Sequence, residues 1–257
     1  IFETHAHYDD EAFDEDRDVL LGSMDENGIR EVVNVCASID SLEKTKALME
    51  KYSFVYGAFG IHPDDAELVT EEVLDKVREC CGLEKAVAVG EIGLDYYWHK
   101  EAGEHELQKK VFRQQMEIAR ELHMPFMVHS REAAADTLDL VKDCVNEGMY
   151  GGIIHCFSYG KEMAKEYLNM GLYLGIGGVV TFNNARKVKE VVEYAPLEQI
   201  VLETDSPYLS PVPYRGKRNC SLNLPLVAEE IGRIKGISSE EVVRVTGDNA
   251  RQLLLRK

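Results

Sequence analysis

The sequence predicts an α/β protein of the (β/α)8, or TIM barrel, class. Three observations predict it: eight short β-type runs, a helix-type run after each of them, and polar residues at the ends of most strands. Eight strand–helix units in roughly 250 residues are typical of this barrel, and the chain has 257 residues. The main alternative, an open doubly wound sheet, often carries a glycine-rich phosphate loop after its first strand, which this chain lacks.

The strands are short apolar runs bounded by polar or glycine-containing segments. They are predicted at residues 1–7, 31–36, 54–60, 86–91, 125–129, 151–155, 172–177 and 200–204. The stretches between them show the spacing of amphipathic helices, the longest with an apolar stripe of Leu107, Val111, Ile118 and Leu122. Two further helices are predicted at 226–235 and 238–255, and Ser238-Ser239-Glu240-Glu241 is a capping-box start for the second. Because no linker or repeat interrupts the chain, we expect a single domain over residues 1–257.

The composition is that of an ordinary globular protein, with 45% hydrophobic residues. No apolar run approaches the roughly 18 residues of a membrane span, and no signal-peptide pattern is present. The six cysteines are scattered without a Cys-x-x-Cys spacing, which favours reduced thiols in an intracellular protein. We therefore expect a cytoplasmic protein with no membrane association.

The formal net charge is −17. Proteins that bind long duplexes through many phosphates normally carry a basic face, because counterion release supplies the affinity. The charge therefore argues against tight non-specific duplex binding. It is compatible with a deep site where bound cations and a few basic residues meet one strand end.

The chemistry-bearing residues lie where predicted strands end. His5 and His7 are two residues apart, so that alternation along a strand places them on one face. Further strand ends carry Glu91, His129, His155 and Asp205. In a parallel barrel all of these ends surround one mouth, which is where active sites of this architecture lie.

Four histidines with two carboxylates suit one or two divalent cations. Two ions need a bridging ligand, a role that suits Glu91, and would activate a water molecule for hydrolysis. Asp205 could be a ligand and also orient or deprotonate that water. Imidazole ligands suit Zn²⁺ or Mn²⁺, whereas Mg²⁺ prefers oxygen ligands, so the sequence leaves the metal open.

Other residues near this mouth have two interpretations each. His62, before Pro63, is either a catalytic or substrate contact or a residue that shapes a turn. Glu203 shares the face of Asp205 and could hold a histidine from behind the metal site. Four basic residues suit phosphate oxygens or simply belong to solvated loops: Arg131, Arg215, Lys217 and Arg218.

The run Tyr96-Tyr97-Trp98 could stack on nucleobases or pack against the barrel rim. His99, His105 and His123 are expected to be structural or exposed.

With these residues in order, the chain resembles the TatD family of metal-dependent deoxyribonucleases, within the amidohydrolase-like barrel superfamily. The resemblance rests on Thr4-His5-Ala6-His7, Gly60-Ile61-His62-Pro63, Gly90-Glu91-Ile92-Gly93-Leu94-Asp95-Tyr96, His129-Ser130-Arg131-Glu132-Ala133, His155-Cys156-Phe157-Ser158, Glu203-Thr204-Asp205-Ser206-Pro207-Tyr208-Leu209 and Arg215-Gly216-Lys217-Arg218-Asn219. It implies that the metal ligands are His5, His7, Glu91, His129, His155 and Asp205. It also implies hydrolysis of DNA phosphodiesters, typically from the 3′ end of single strands, with divalent cations and no obligate protein partner.

The chain departs from the family pattern twice. Glu3 stands where the family usually has Asp, and Cys220-Ser221 follows Asn219 where Glu and Pro are common. Two alternatives stay open at this point: a hydrolase of a small ester, amide or phosphate, and a non-catalytic metal-binding scaffold.

Overall fold

Eight parallel strands form the centre of the structure, a computed structural model that describes residues 1–255. The strands are β1 (Phe2–Ala6), β2 (Glu31–Val35), β3 (Val55–Phe59), β4 (Ala86–Asp95), β5 (Phe126–Arg131), β6 (Gly152–Ile154), β7 (Tyr173–Ile176) and β8 (Ile200–Leu202). They pair in sequence order, and a parallel bridge between Ala6 and Ser206 joins the two ends of the sheet. This arrangement confirms the predicted (β/α)8 barrel. Residues 256 and 257, the last two of the predicted domain, lie outside the described residues.

Helices follow every strand. They are α1 (Arg17–Gly22), α2 (Ile39–Lys51), α3 (Glu71–Cys81), α4 (Ala102–Glu121), α5 (Ala134–Asn146), α6 (Lys161–Asn169), α7 (Arg186–Tyr194), α8 (Leu224–Lys235) and α9 (Ser239–Leu254). Half of the predicted capping box of the last helix is confirmed, since Ser238 Oγ accepts a hydrogen bond of 3.1 Å from the Glu241 amide. The Glu241 carboxylate pairs with Arg244 at 2.6 Å instead of completing the box. None of the helices within residues 1–255 has the length and apolar character needed to cross a membrane.

The predicted end of β4 is wrong, because the strand continues past Glu91 to Asp95. Gly93 makes this extension possible: its φ is +144°, and a Cβ there would lie 1.9 Å from the carbonyl oxygen of His129. Only glycine allows this close approach between β4 and β5. The extension carries four more residues to the mouth of the barrel.

The core has two layers. One fills the space between strands and helices. The other holds Val33, Met127, Ile153 and Val201, together with Leu253 of α9. Alternate residues of a strand share a face. Two residues after Met127, Ile153 and Val201, on the same face, come His129, His155 and Glu203 respectively. Strands β5, β6 and β8 therefore each contribute an apolar residue to the core and, two residues further along the same face, a polar residue to the mouth.

Helix α4 differs from its predicted apolar stripe. Leu107 and Leu122 are exposed, whereas Gln108 and Gln115 are buried. A buried amide must find hydrogen-bond partners, and both glutamines bind backbone groups of loops at the mouth. A pattern of apolar residues cannot predict that these two glutamines are buried, because they are polar and are held by hydrogen bonds to the backbone.

Candidate metal centre

Glu91 lies at the centre of the predicted ligands. Its Oε2 is 3.5 Å from His5 Nε2 and 3.7 Å from His7 Nε2. Its Oε1 is 2.9 Å from His129 Nδ1 and 3.6 Å from His155 Nε2. The carboxylate thus divides the histidines into two groups, one at each oxygen, which is the geometry expected of a bridging ligand.

Asp205 lies on the same side of the barrel mouth. Its Oδ1 is 3.4 Å from His7 Nε2 and 3.7 Å from His155 Nε2. Its φ of +58° is in the left-handed region, which Asp tolerates better than most residues, and its amide donates to the His5 carbonyl at 2.9 Å. The side chain is 17% exposed, against 5% for Glu91. Asp205 therefore faces the solvent-filled mouth while Glu91 lies beneath it.

Several imidazoles are held from behind. His7 Nδ1 donates to the Val35 carbonyl at 2.8 Å, and His129 Nε2 donates to Asp95 Oδ2 at 3.1 Å. His155 Nδ1 lies 3.1 Å from Glu203 Oε1. An imidazole whose outer nitrogen carries the proton presents a bare inner nitrogen, the state that binds a metal ion. These inner nitrogens all point toward Glu91.

His5 provides the strongest indication that this cluster binds a cation. It is buried, its ring stacks on that of His155 with centroids 3.5 Å apart, and neither of its nitrogens has a hydrogen-bond partner among residues 1–255. Leaving a buried polar group unpaired costs about 1–3 kcal/mol. Among residues 1–255, three of the four sets of possible ligand atoms that lie within 4.8 Å of one another belong to this cluster: His5, His7 and Glu91; His5, His155 and Asp205; His62, Glu91 and His129. The residues fit divalent cations.

The electrostatics of the cluster favour cations. Burial alone would raise the pKa of Glu91, yet the surrounding imidazoles, led by His62 and His129, hold it well below its ordinary value. Burial likewise opposes the ionisation of Asp205, but His155 and His7 lower its pKa. Burial and the neighbouring His155 lower the pKa of His5 to about 4. Two buried carboxylates thus stay anionic beside a neutral His5.

His62 shapes a turn, which is one of its two predicted roles, and it also lies beside Glu91; a catalytic or substrate contact stays a prediction. Its Nδ1 accepts a hydrogen bond of 3.2 Å from the Asp64 amide and so caps the turn that begins at Pro63. Its Nε2 lies 3.7 Å from Glu91 Oε1. Because Nδ1 accepts this hydrogen bond, Nε2 is the ring nitrogen that carries a proton toward the cluster. His62 is therefore placed to donate a hydrogen bond at the mouth.

Glu203 lies where it would hold His155. Its Oε1 accepts a hydrogen bond of 2.6 Å from the Cys156 amide, beside His155 Nδ1. Gly175 of β7 leaves the necessary space, since a Cβ there would lie 2.1 Å from Glu203 Oε2.

The two departures from the family pattern contact each other. Glu3 Oε1 accepts from the amides of His5 and Thr204 at 3.1 and 2.9 Å, and its Oε2 accepts from Ser221 Oγ at 2.9 Å. Ser221 is fully buried and also bonds the Tyr8 hydroxyl. Burial raises the pKa of Glu3 to about 7. The longer Glu3 and the small Ser221 thus form one linked pair that holds the backbone of β1 beneath His5.

Asp95 has a role in the site that was not predicted from the sequence. Its Oδ2 accepts from His129, and its Oδ1 accepts from the amides of Tyr97 and Trp98 at 2.9 and 3.2 Å. Gln108 of α4 in turn binds the Asp95 amide at 3.0 Å. The sequence does contain a signal for Asp95. It is an even number of residues after Glu91, so the two side chains share one face of β4 when the strand continues to Asp95.

The four predicted phosphate contacts differ in their surroundings. The Arg131 guanidinium lies 3.9 Å from the centre of the Tyr97 ring, and that of Arg215 lies 3.9 Å from the Phe182 ring. Lys217 lies over Tyr214 at 5.8 Å. Arg218 instead forms a two-pronged ion pair with Asp16 at 2.7 and 2.6 Å. Arg218 is therefore already engaged with a carboxylate, which a phosphate would have to displace.

Asp95→Asn tests the support of His129. An amide in place of the carboxylate weakens the hydrogen bond that orients the ring, so we expect metal affinity to fall about 10–100-fold. Titration of the metal-free protein with Mn²⁺, followed by electron paramagnetic resonance, measures it. Asp139→Asn on the exposed face of α5 is the matched control; equal affinities in both variants would contradict a role for Asp95.

Comparison with known proteins agrees with this geometry. Residues 2–255 match the family model described as TatD related DNase. The chain belongs to this family. It is 40% identical to the uncharacterized metal-dependent hydrolase YabD of Bacillus subtilis, with 98% of each chain covered. The protein is thus a metal-dependent hydrolase of the TatD family, as the motifs predicted.

Two further TatD relatives matter. The crystal structure of YjjV, a TatD homologue from Escherichia coli, superposes with a TM-score of 0.92 at 25% identity, covering 100% of this chain and 98% of that one. A more distant relative, 29% identical over 95% of this chain and 94% of its own length, is named 3'-5' ssDNA/RNA exonuclease TatD, from Cronobacter sakazakii.

Proposed function

We propose that this TatD-family protein hydrolyses DNA phosphodiester bonds, acting as a 3′–5′ exonuclease on single strands. One observation carries the proposal: the predicted ligands surround both oxygens of Glu91, and Arg131, Arg215 and Lys217 lie at or after the carboxyl ends of β5 and β8, the end of the barrel that holds this cluster. Bound cations together with basic side chains suit a substrate with several phosphates. The name of the Cronobacter relative supports the same activity.

The site would hold two divalent ions, Mg²⁺, Mn²⁺ or Zn²⁺, on either side of Glu91. The residues that would bind them are His5, His7, Glu91, His129, His155 and Asp205. Such ions lower the pKa of water and stabilise negative charge on phosphate oxygens.

The residues of the chain would divide the remaining tasks by their exposure. Asp205 reaches the mouth and keeps its negative charge, so that it can orient the attacking water and accept its proton. His62 faces the same space with its Nε2 and would donate a hydrogen bond to a phosphate or leaving oxygen. Glu91, enclosed by imidazoles, would serve as the bridge.

The cations at the rim would bind the phosphates that flank the scissile bond. They are few, and the chain as a whole has a net charge of −17, which opposes long contacts with a duplex. One strand end entering the mouth needs only two or three such contacts. This electrostatic balance favours single-stranded ends over internal duplex sites.

The small-substrate alternative loses one of its supports. That alternative would be favoured if the Cys220-Ser221 departure bordered the substrate. Ser221 is instead buried against Glu3 and Tyr8, so that the substitution acts inside the barrel wall. The scaffold alternative requires a site without a proton acceptor, whereas Asp205 is present and faces the mouth.

The test is incubation with single-stranded DNA labelled at either the 5′ or the 3′ end. With Mg²⁺ or Mn²⁺ we expect a 5′-labelled strand to shorten progressively and a 3′-labelled strand to release its label at once. EDTA should abolish both reactions. Intact DNA with every metal, alongside turnover of small esters or phosphate monoesters, would contradict the proposal.

A further inference from the structure

Tyr97 and Trp98 form an exposed aromatic pair on the barrel rim. Trp98 is 65% exposed and Tyr97 is 37% exposed. Their rings meet edge to face with centroids 4.6 Å apart. The Arg131 guanidinium lies 3.9 Å from the centre of the Tyr97 ring and 5.6 Å from that of Trp98. A large apolar ring and a cation thus share one solvent-facing surface.

The neighbouring Tyr96 has a different role. Its ring stacks on His105 with centroids 3.6 Å apart, and its hydroxyl donates to Asp136 at 2.7 Å. Of the two roles predicted for the aromatic run, Tyr96 therefore has one: it packs against the barrel rim. Trp98 remains largely uncovered, which packing does not explain.

The pair is fixed rather than loosely attached. Asp95 Oδ1 accepts from the amides of both Tyr97 and Trp98, and the Tyr96 amide donates to the Arg131 carbonyl at 2.9 Å. Asp95 and Arg131 are themselves paired across β4 and β5. A preformed surface loses little conformational entropy when a ligand binds.

The pair also adjoins the candidate metal centre. The same Asp95 that holds the two amides accepts from His129, whose other nitrogen lies 2.9 Å from Glu91. Only one carboxylate therefore separates the aromatic loop from a predicted metal ligand. A substrate that reaches the metal ions at the His129 side would pass this surface.

We propose that Tyr97, Trp98 and Arg131 form a stacking subsite for an unpaired nucleobase next to the scissile phosphate. The inference rests on the proposed nuclease function and specifies how it selects single strands. Indole offers a wide face to any base, while Arg131, lying against Tyr97, keeps its N–H edge available for the adjoining phosphate. Bases within a duplex are covered by their neighbours, so only frayed or single-stranded ends can use the subsite.

Trp98 makes a direct binding test possible, because it is the only tryptophan of the chain. The Asp205→Asn variant with Mg²⁺ would be titrated with a short oligothymidylate and with an abasic strand of equal length and charge. We expect the base-bearing strand to quench the fluorescence and the abasic strand to leave it unchanged. Equal responses to the two strands, or no response to either, would overturn the subsite.

Steady-state kinetics provide the second test. For Trp98→Ala we expect KM on oligothymidylate to rise about tenfold, with most of the change reversed in Trp98→Phe. On the abasic strand, KM should be the same for Trp98→Ala and the wild type. Tyr150→Ala removes another exposed aromatic ring just before β6, at the opposite end of the barrel, and should change neither value.

The two proposals fail in distinguishable ways. Wild-type protein that hydrolyses no oligonucleotide with Mg²⁺ or Mn²⁺ contradicts the nuclease function. Wild-type hydrolysis together with an unchanged KM in Trp98→Ala, or with the same rise on the abasic strand, overturns the stacking subsite alone.

Discussion

Glu91→Gln is expected to remove most of the bound metal and to lower the rate of hydrolysis by about a thousandfold. The carboxylate has two oxygens, and each faces at least two imidazoles. A neutral amide has no charge to hold a cation, and its NH₂ group would point a donor at one of the two groups. Such a change damages both halves of the cluster at once.

The measurement combines metal content by mass spectrometry with the oligonucleotide assay on the same preparation. Glu193→Gln, on an exposed position of α7, is the control for the substitution itself. Because Glu91 is buried among ionisable groups, the melting temperature of each variant should be recorded. A folded Glu91→Gln protein that keeps wild-type metal content would show that Glu91 does not bridge the ions.

Asp205→Asn is expected to lower kcat by about 10²–10⁴-fold while the barrel stays folded. Asn has nearly the same shape and also tolerates the left-handed φ of +58° found at this position. It cannot accept a proton from water, and it removes one anionic neighbour of His7 and His155. The loss should therefore appear chiefly in kcat, with a smaller effect on metal binding than that of Glu91→Gln.

The pH dependence separates the two possible roles of Asp205. If it accepts the proton, Asp205→Asn should abolish the acidic limb of the kcat profile. If Asp205 serves only as a metal ligand, the activity of Asp205→Asn should return at high metal concentration, and its kcat profile should keep the acidic limb. Asp143→Asn, on an exposed position of α5, should leave both the rate and the profile unchanged.

Most of the barrel could be predicted from the sequence because its strands are short, buried and separated by regular helices. Seven strands agree with their predicted bounds to within two residues at each end. The exception, β4, extends because Gly93 allows a close backbone approach, a tertiary contact that local patterns do not report. The predicted ligands could be brought to one site from the sequence because the carboxyl ends of the strands of a parallel barrel all meet at the same mouth.

The supports of the site could not be predicted in the same way. Asp95, Gln108 and Gln115 act through hydrogen bonds to groups distant in sequence. A pattern of apolar spacing treats them as surface residues. For Arg218 the error runs the other way. Its charge suggests a phosphate contact, but in the folded chain it pairs with Asp16, about 200 positions away, a contact that the sequence does not reveal.

The departures at Glu3 and Ser221 illustrate a third limit. Each one looks like a separate change when read along the sequence. In the folded chain they are partners, with a hydrogen bond of 2.9 Å between Ser221 Oγ and Glu3 Oε2. Ser221 is thus bound to Glu3, whose other oxygen accepts from the amides of His5 and Thr204, next to Asp205.

The most direct test of the metal centre is anomalous diffraction from crystals loaded with Mn²⁺. We expect two peaks, one within coordination distance of each Glu91 oxygen, with His5 and His7 at the first and His129 at the second. Peaks elsewhere, or none within coordination distance of Glu91, would contradict the assignment of this cluster as the metal centre.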